Sequence, residues 1–380
     1  MRQQDGPRVV LPEPRPLRRC FPADLPGAPP RLLDILLDRA ADLFEGGEFE
    51  GSLACAEEAA RGEPNSVEAH HERADALREL RRLPEAQDAF ARALALDPDD
   101  PKTLDGIADF YVNRLSPTND HLETGLAYAR HGSRKVKHGK DRYLIAHLAL
   151  LEGEALSDLG RSREALGRLD AALAASPGDP HVLYERAVAD FELCRFDEAR
   201  ADLVEVLRID PRDAGAHHQL GLILERIGDA AGAELELGRA RALSPGDFHE
   251  PVLPATEEFR ALVAHEVERL TETLRSDLGL VELEVADLPA LADLIAEEPP
   301  LSPTILGLFR GSPLPPVSTA PRTPGSARAE SRTIVLYRKN LGRAVASRDE
   351  LVTQIRTTLL HELGHLRGED DSDLRARGLE

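Results

Sequence analysis

The sequence predicts a mostly α-helical chain in which a solenoid of helix pairs precedes a small α+β domain. Three observations predict it. Prolines recur at a 34-residue spacing between positions 64 and 245. Small residues recur in phase with them. After Pro245 the period stops, and alternating apolar stretches and one long helical pattern take its place.

The prolines are Pro64, Pro98, Pro177, Pro211 and Pro245, at intervals of 34, 79, 34 and 34 residues, where 79 is two periods plus 11. Each closes a helical run, because proline lacks an amide donor and clashes with the preceding turn. Twelve residues before them stand Ser52, Ala86, Ala165, Ala199 and Ala233, and five before stand Ala59, Ala93, Ala172, Val206 and Ala240. Ala40, Ala74, Gly153, Ala187 and Gly221 form a third set. Small side chains at these places let two antiparallel helices approach closely. The pattern resembles the tetratricopeptide repeat over about residues 33–247, with several positions in phase. Five repeats are clear. A degenerate sixth between 99 and 145 carries the 11-residue excess, and "YVNRLSPTNDHLET", 111–124, reads as an extended loop. The resemblance implies a superhelix whose concave face binds a protein or peptide segment.

Composition narrows the partners. The 380 residues are 42% apolar but only 4% aromatic, without tryptophan, so packing falls to Ala and Leu. A net charge of −21 argues against a nucleic-acid partner, which needs Lys and Arg for the phosphate backbone. Cys20, Cys55 and Cys194 are odd in number and widely spaced, which suits a reducing, cytoplasmic setting better than a disulfide framework. No apolar run approaches a membrane span. Residues 1–32, rich in Pro and Arg, lack an apolar signal core and read as a disordered arm. In the basic run "RHGSRKVKHGK", Arg134, Lys135, Lys137 and Lys140 could clamp an acidic peptide, though a solvated helix end explains them more simply. The pairs His70–His71 and His217–His218 read as surface or packing residues, since adjacent positions do not share a helix face.

Residues 248–255 read as a linker, and 256–380 as the second domain. A helix is predicted over 256–276, with Phe259, Leu262, Val263, Val267, Leu270 and Leu274 on one face. "VELEV", 281–285, alternates as a half-buried strand does. A short helix is expected over 288–297, a flexible Pro/Ser/Gly-rich loop over 311–331, and a second strand at "RTIVLYR", 332–338. The last long helix starts at a Ser347 cap and buries Leu351, Ile355, Leu359, Leu363 and Leu366.

That helix carries "LLHELGHLRGEDD", 359–371. His361 and His365, four apart, lie about 40° apart around the axis, so both imidazoles can meet one zinc ion. Glu362 is one step round, where it can take a proton from an attacking water. Gly368 can turn left-handed and end the helix. An acid just beyond, Asp370 or Asp371, can then supply a third ligand and leave a position open for water.

The region 256–380 resembles the minimal zincin-like metallopeptidases, with the signature H-E-x-x-H-x-x-G-x-x-D. The matching stretches are "LGLFRGSPL", "TIVLYRKNL" and "LLHELGHLRGEDDSDL". The resemblance implies that His361, His365 and Asp371 ligate Zn2+ and that Glu362 is the general base. Asp370 is then left to solvent or to orienting a histidine. The loop at 315–331 is long for the family. Met1 is the only methionine, which excludes the Met-turn of the metzincins. "HLRGED" also resembles half of an endoribonuclease signature, H-G-x-x-H-x-x-G-x-D-H, but Glu362 and Asp371 depart from it. The expected function is therefore a zinc-dependent peptidase with a partner-recruiting array. The alternative is a non-enzymatic adaptor with a vestigial or structural zinc.

Overall fold

The computed structural model describes residues 31–136, 141–314 and 332–379. Residues 1–30 of the expected arm, Lys137, Lys140 and the stretch 315–331 of the expected loop lie outside them. Two compact units divide after Pro177.

The first unit is a run of helix pairs. They are α1 (Leu32–Glu45) with α2 (Phe49–Gly62), α3 (Val67–Glu79) with α4 (Leu83–Leu96), α5 (Pro101–Asp109) with α6 (Asn119–Lys135), and α7 (Arg142–Asp158) with α8 (Ser162–Ala175). Three of the first helices start at cap residues whose side chains accept a backbone N–H: Ser66 for α3, Asp100 for α5 and Asp141 for α7. The small residues singled out by phase are buried throughout both units. Leu53, Leu77, Phe90, Ile107 and Phe110 fill a core between consecutive pairs.

The expected extended loop at 111–124 is corrected. Phe110–Arg114 continues α5 as a π-helical turn, and α6 already begins at Asn119, capped by the Thr118 side chain. Part of the excess is absorbed instead by long helices, α6 and α7 having 17 residues each where α2 and α4 have 14. The π turn still buries Phe110 and Val112, which is why the chain keeps coiling there.

The second unit opens with two further pairs, α9 (Pro180–Glu192) with α10 (Phe196–Ile209) and α11 (Ala214–Arg226) with α12 (Ala230–Leu243). His70 and His217 are packing residues. Their Nε2 atoms bond the carbonyls of Pro64 and Pro211, at 3.0 and 3.1 Å, tying each first helix to the proline turn before it.

The α+β part follows. It comprises α13 (Thr256–Glu268), α14 (Glu272–Leu278), β1 (Glu282–Ala286), the single turn α15 (Leu291–Leu294), β2 (Gly307–Arg310), β3 (Thr333–Tyr337), α16 (Arg338–Arg343), α17 (Arg348–Leu366) and α18 (Asp371–Ala376). The helix expected over 256–276 is two, because Thr271 caps α14 through Leu274 N–H. The helix expected over 288–297 shrinks to α15, hemmed by Pro289, Pro299 and Pro300. The sheet has the order β1-β3-β2. β3 is central and wholly buried, parallel to β1 from Glu282↔Thr333 and antiparallel to β2 from Gly307↔Leu336. β2 was not foreseen as a strand. Leu351, Ile355, Leu359, Leu363 and Leu366 of α17 are fully buried, as their spacing predicts. Leu336 and Ile355 meet in one cluster, Ile334 and Leu359 in the next.

Among the described residues no helix is long and apolar enough to cross a membrane. Cys194 is a free thiol, and Cys55 is buried.

Candidate metal centre

Ser347 caps α17 by accepting Glu350 N–H at 3.3 Å, and the helix then runs unbroken to Leu366. Gly368 has a φ of +85°, the left-handed conformation that ends a helix without steric cost. The chain turns back, and Glu369 N–H bonds the Gly364 carbonyl at 3.0 Å.

Two backbone carbonyls fix the imidazoles. His361 Nδ1 stands 2.5 Å from the Leu379 carbonyl, and His365 Nδ1 stands 3.1 Å from the Glu369 carbonyl. A carbonyl only accepts, so each Nδ1 carries a proton, and in the neutral ring each Nε2 keeps a bare lone pair for an ion. These bare nitrogens are 3.0 Å apart. Asp371 Oδ1 lies 3.3 Å from His365 Nε2 and 3.8 Å from His361 Nε2. Two lone pairs and a carboxylate facing one point repel unless a cation lies among them. Two nitrogens each about 2.0–2.1 Å from one tetrahedral ion stand about 3.3 Å apart. The donor set therefore fits a zinc ion.

Asp370 is turned elsewhere. It caps α18, its Oδ1 accepting Asp373 N–H at 2.9 Å, in a reciprocal capping box. Of the two adjacent acids, the structure brings Asp371 to the histidines.

Glu362 is 5% exposed and faces β2. Phe309 N–H donates to its carboxylate. Burial pushes its carboxyl up to about 8, against that hydrogen bond and with a further push from Asp371. A divalent cation beside it would favour the charged form again. A cleft of about 590 Å³ opens over these groups, lined by Leu301, Ile305, Leu308, Phe309, Pro313 and the motif residues.

The family profile of the zincin-like metallopeptidases matches residues 278–379, and tetratricopeptide-repeat profiles match 37–101 and 156–220. The chain is a tetratricopeptide-repeat array followed by a zincin-like domain. The Hsp70-Hsp90 organizing protein of Triticum aestivum is 33% identical over 104 residues, 27% of this chain and 18% of that protein. A tetratricopeptide repeat and J domain-containing co-chaperone of Fusarium oxysporum f. sp. lycopersici is 36% identical over 92 residues, 24% and 18%. The chain thus spans less than a fifth of these curated relatives. The crystal structure of PilW, a type IV pilus biogenesis factor, matches with a TM-score of 0.50 at 20% identity, over 57% of this chain and 96% of that one, which shows the repeat fold.

Within the zincin-like domain, sequence reasoning missed the groups that hold the motif in place. Gly307 and Phe309 back Glu362, and the carbonyls of Glu369 and Leu379 fix the imidazoles. For Gly307 and Phe309 the one sequence signal was "LGLFRG", read as a loop. In the array, Lys135 of the basic run is paired to Asp99 at 2.7 Å.

Proposed function

We propose that the zincin-like domain is a zinc-dependent peptidase and that the array recruits its protein partner or substrate on a concave face. In this reading His361, His365 and Asp371 hold the ion and Glu362 is the general base. The carrying observation is the convergence of two bare Nε2 atoms and the Asp371 carboxylate beside a buried Glu362. Zinc supplies a Lewis acid for the scissile carbonyl. The chain does the rest. The Glu362 carboxylate takes a proton from the attacking water and returns it to the leaving amine. Burial under β2 keeps bulk water from that carboxylate.

Among the described residues β2 pairs only with β3, so its other side can take an extended peptide through backbone groups other than the Phe309 N–H that Glu362 holds. The apolar Leu301, Ile305 and Leu308 suit an apolar side chain next to the scissile bond. The relatives' names, an organizing protein and a co-chaperone, support protein binding by the array. A non-enzymatic adaptor has no need of a buried acid beside the ligands, so Glu362 favours the enzyme.

The test is metal analysis with a peptide-library cleavage assay on the purified chain. About one zinc per chain is expected. Glu362→Gln keeps the metal and loses hydrolysis. A zinc-loaded chain that cleaves no peptide would hand the function to the adaptor.

A further inference from the structure

The segment between β1 and β2, residues 287–306, walls the cleft: Glu297, Leu301 and Ile305 all line it. It is poor in structure of its own. Its one helix is the four-residue α15, and the amide of Leu301 reaches back to the Leu294 carbonyl at 2.8 Å. Pro289, Pro299, Pro300 and Pro303 bring carbonyls but no donors. Such a strap must find donors elsewhere to fix its acceptors.

The donors come from the last two repeats and from α16. Arg226, which ends α11, gives Nη1 to the Pro289 carbonyl at 3.0 Å and Nη2 to the Pro303 carbonyl. One guanidinium fork thus staples both ends of the strap. Ser302 hydrogen-bonds Glu192, which ends α9, and Cys194 Sγ lies 3.9 Å from the Leu301 carbonyl. Beside Arg226, Glu225 pairs with Lys339 and Arg343 of α16, each at 2.8 Å. On α16, Asn340 Nδ2 holds the carbonyls of Pro303 and Ile305, at 3.0 and 2.8 Å. The cleft wall is therefore clasped between repeat turns and α16.

We propose that Arg226 is a positioning residue for the substrate cleft, and that the last repeats set the shape of its wall. The array is then part of the enzyme's binding surface as well as a recruiting arm. This rests on the peptidase reading above.

The test compares the full chain with Arg226→Met, which keeps the apolar stem and loses the fork, and with Arg226→Lys, which keeps one donor. Hydrogen exchange is followed by mass spectrometry over residues 290–306, with and without zinc. A fluorogenic peptide that the parent chain cleaves gives the kinetics. Arg226→Met is expected to speed exchange in the strap by about tenfold. It should raise KM about five- to tenfold, with kcat within about twofold and zinc content unchanged. Arg226→Lys should fall between the two. Unchanged exchange in Arg226→Met overturns the proposal, and so does faster exchange with an unchanged KM. A parent chain that cleaves nothing instead fails the peptidase reading, and that shows before any variant is made.

Discussion

Gly307 and Glu362 meet face to face between β2 and α17. A Cβ at Gly307 would lie 2.8 Å from Glu362 Oε1 and 2.7 Å from Thr358 Cγ2. The missing side chain is the slot in which the carboxylate sits. Phe309 N–H, two residues along the same strand, closes it with a hydrogen bond. Neither neighbour can retreat cheaply, since Glu362 and Thr358 are both buried on one helix.

Gly307→Ala is therefore expected to displace the carboxylate and leave the imidazoles alone. We expect kcat/KM to fall about 10–100-fold, in line with a misplaced general base, with zinc affinity unchanged. Parent-like turnover in this variant would show that the slot has no catalytic consequence.

The third ligand is decided by the turn after Gly368. Asp371 Oδ1 faces both histidines, while Asp370 is spent on the α18 cap. Asp371→Ala leaves two imidazoles and should weaken zinc binding severely. Asp370→Ala should cost about 1 kcal/mol of helix stability through the lost cap, and lower zinc affinity far less. Competition of both variants against a zinc chelator gives the order. The reverse order would move the ligand to Asp370.

Asp190, near the end of α9, supplies a pH test away from the cleft. Burial pushes its carboxyl up to about 6 from 3.8, although Arg195 at 3.7 Å pulls it down. A carboxyl with a raised folded-state value destabilises the fold when charged. That penalty is full above about 6, shrinks as pH falls through the folded value, and is gone below 3.8. Asp190→Asn should thus stabilise the chain by about 1–3 kcal/mol at pH 7.5. The gain should fade steadily between pH 6 and pH 4. Thermal melts across that range check it, and a gain that persists at pH 3.5 would contradict the burial account.

What could be read from the chain was local. The small residues in phase with the prolines needed only spacing, and the Ser347 cap with its leucine face needed only one helix. What was missed depends on distant or backbone partners. The strand β2 is four residues long, too short for alternation to declare it, and it exists because β3 lies beside it. The π turn at Phe110–Arg114 falls where the 34-residue phase is lost, so its buried Val112 looked like loop. The Thr271 cap was legible in principle and was overlooked beneath a continuous apolar face. At the metal centre the histidines, Glu362 and the adjacent acids were legible because they are side chains in a fixed spacing. The carbonyls of Glu369 and Leu379 were not, because a backbone acceptor has no letter of its own.

The Leu379 carbonyl reaches His361 because α18 lies close against α17, and Gly364 allows that approach. A Cβ at Gly364 would lie 2.2 Å from Leu374 Cδ2, and Leu374 is fully buried. Gly364→Val should push α18 outward and draw the carbonyl away from Nδ1. The imidazole then loses the partner that fixes its tautomer and its ring plane. Zinc affinity should fall about 10–100-fold, the range for losing such a supporting hydrogen bond. Helix unravelling cannot account for such a loss, since valine is a better helix former than glycine. Leu374→Ala approaches the same contact from the other side, loosening α18 by leaving a cavity, and should lower the affinity in the same direction. Chelator competition on both variants, with circular dichroism to show an intact fold, makes the comparison. If both bind zinc as tightly as the parent chain, α18 does not hold His361 in place.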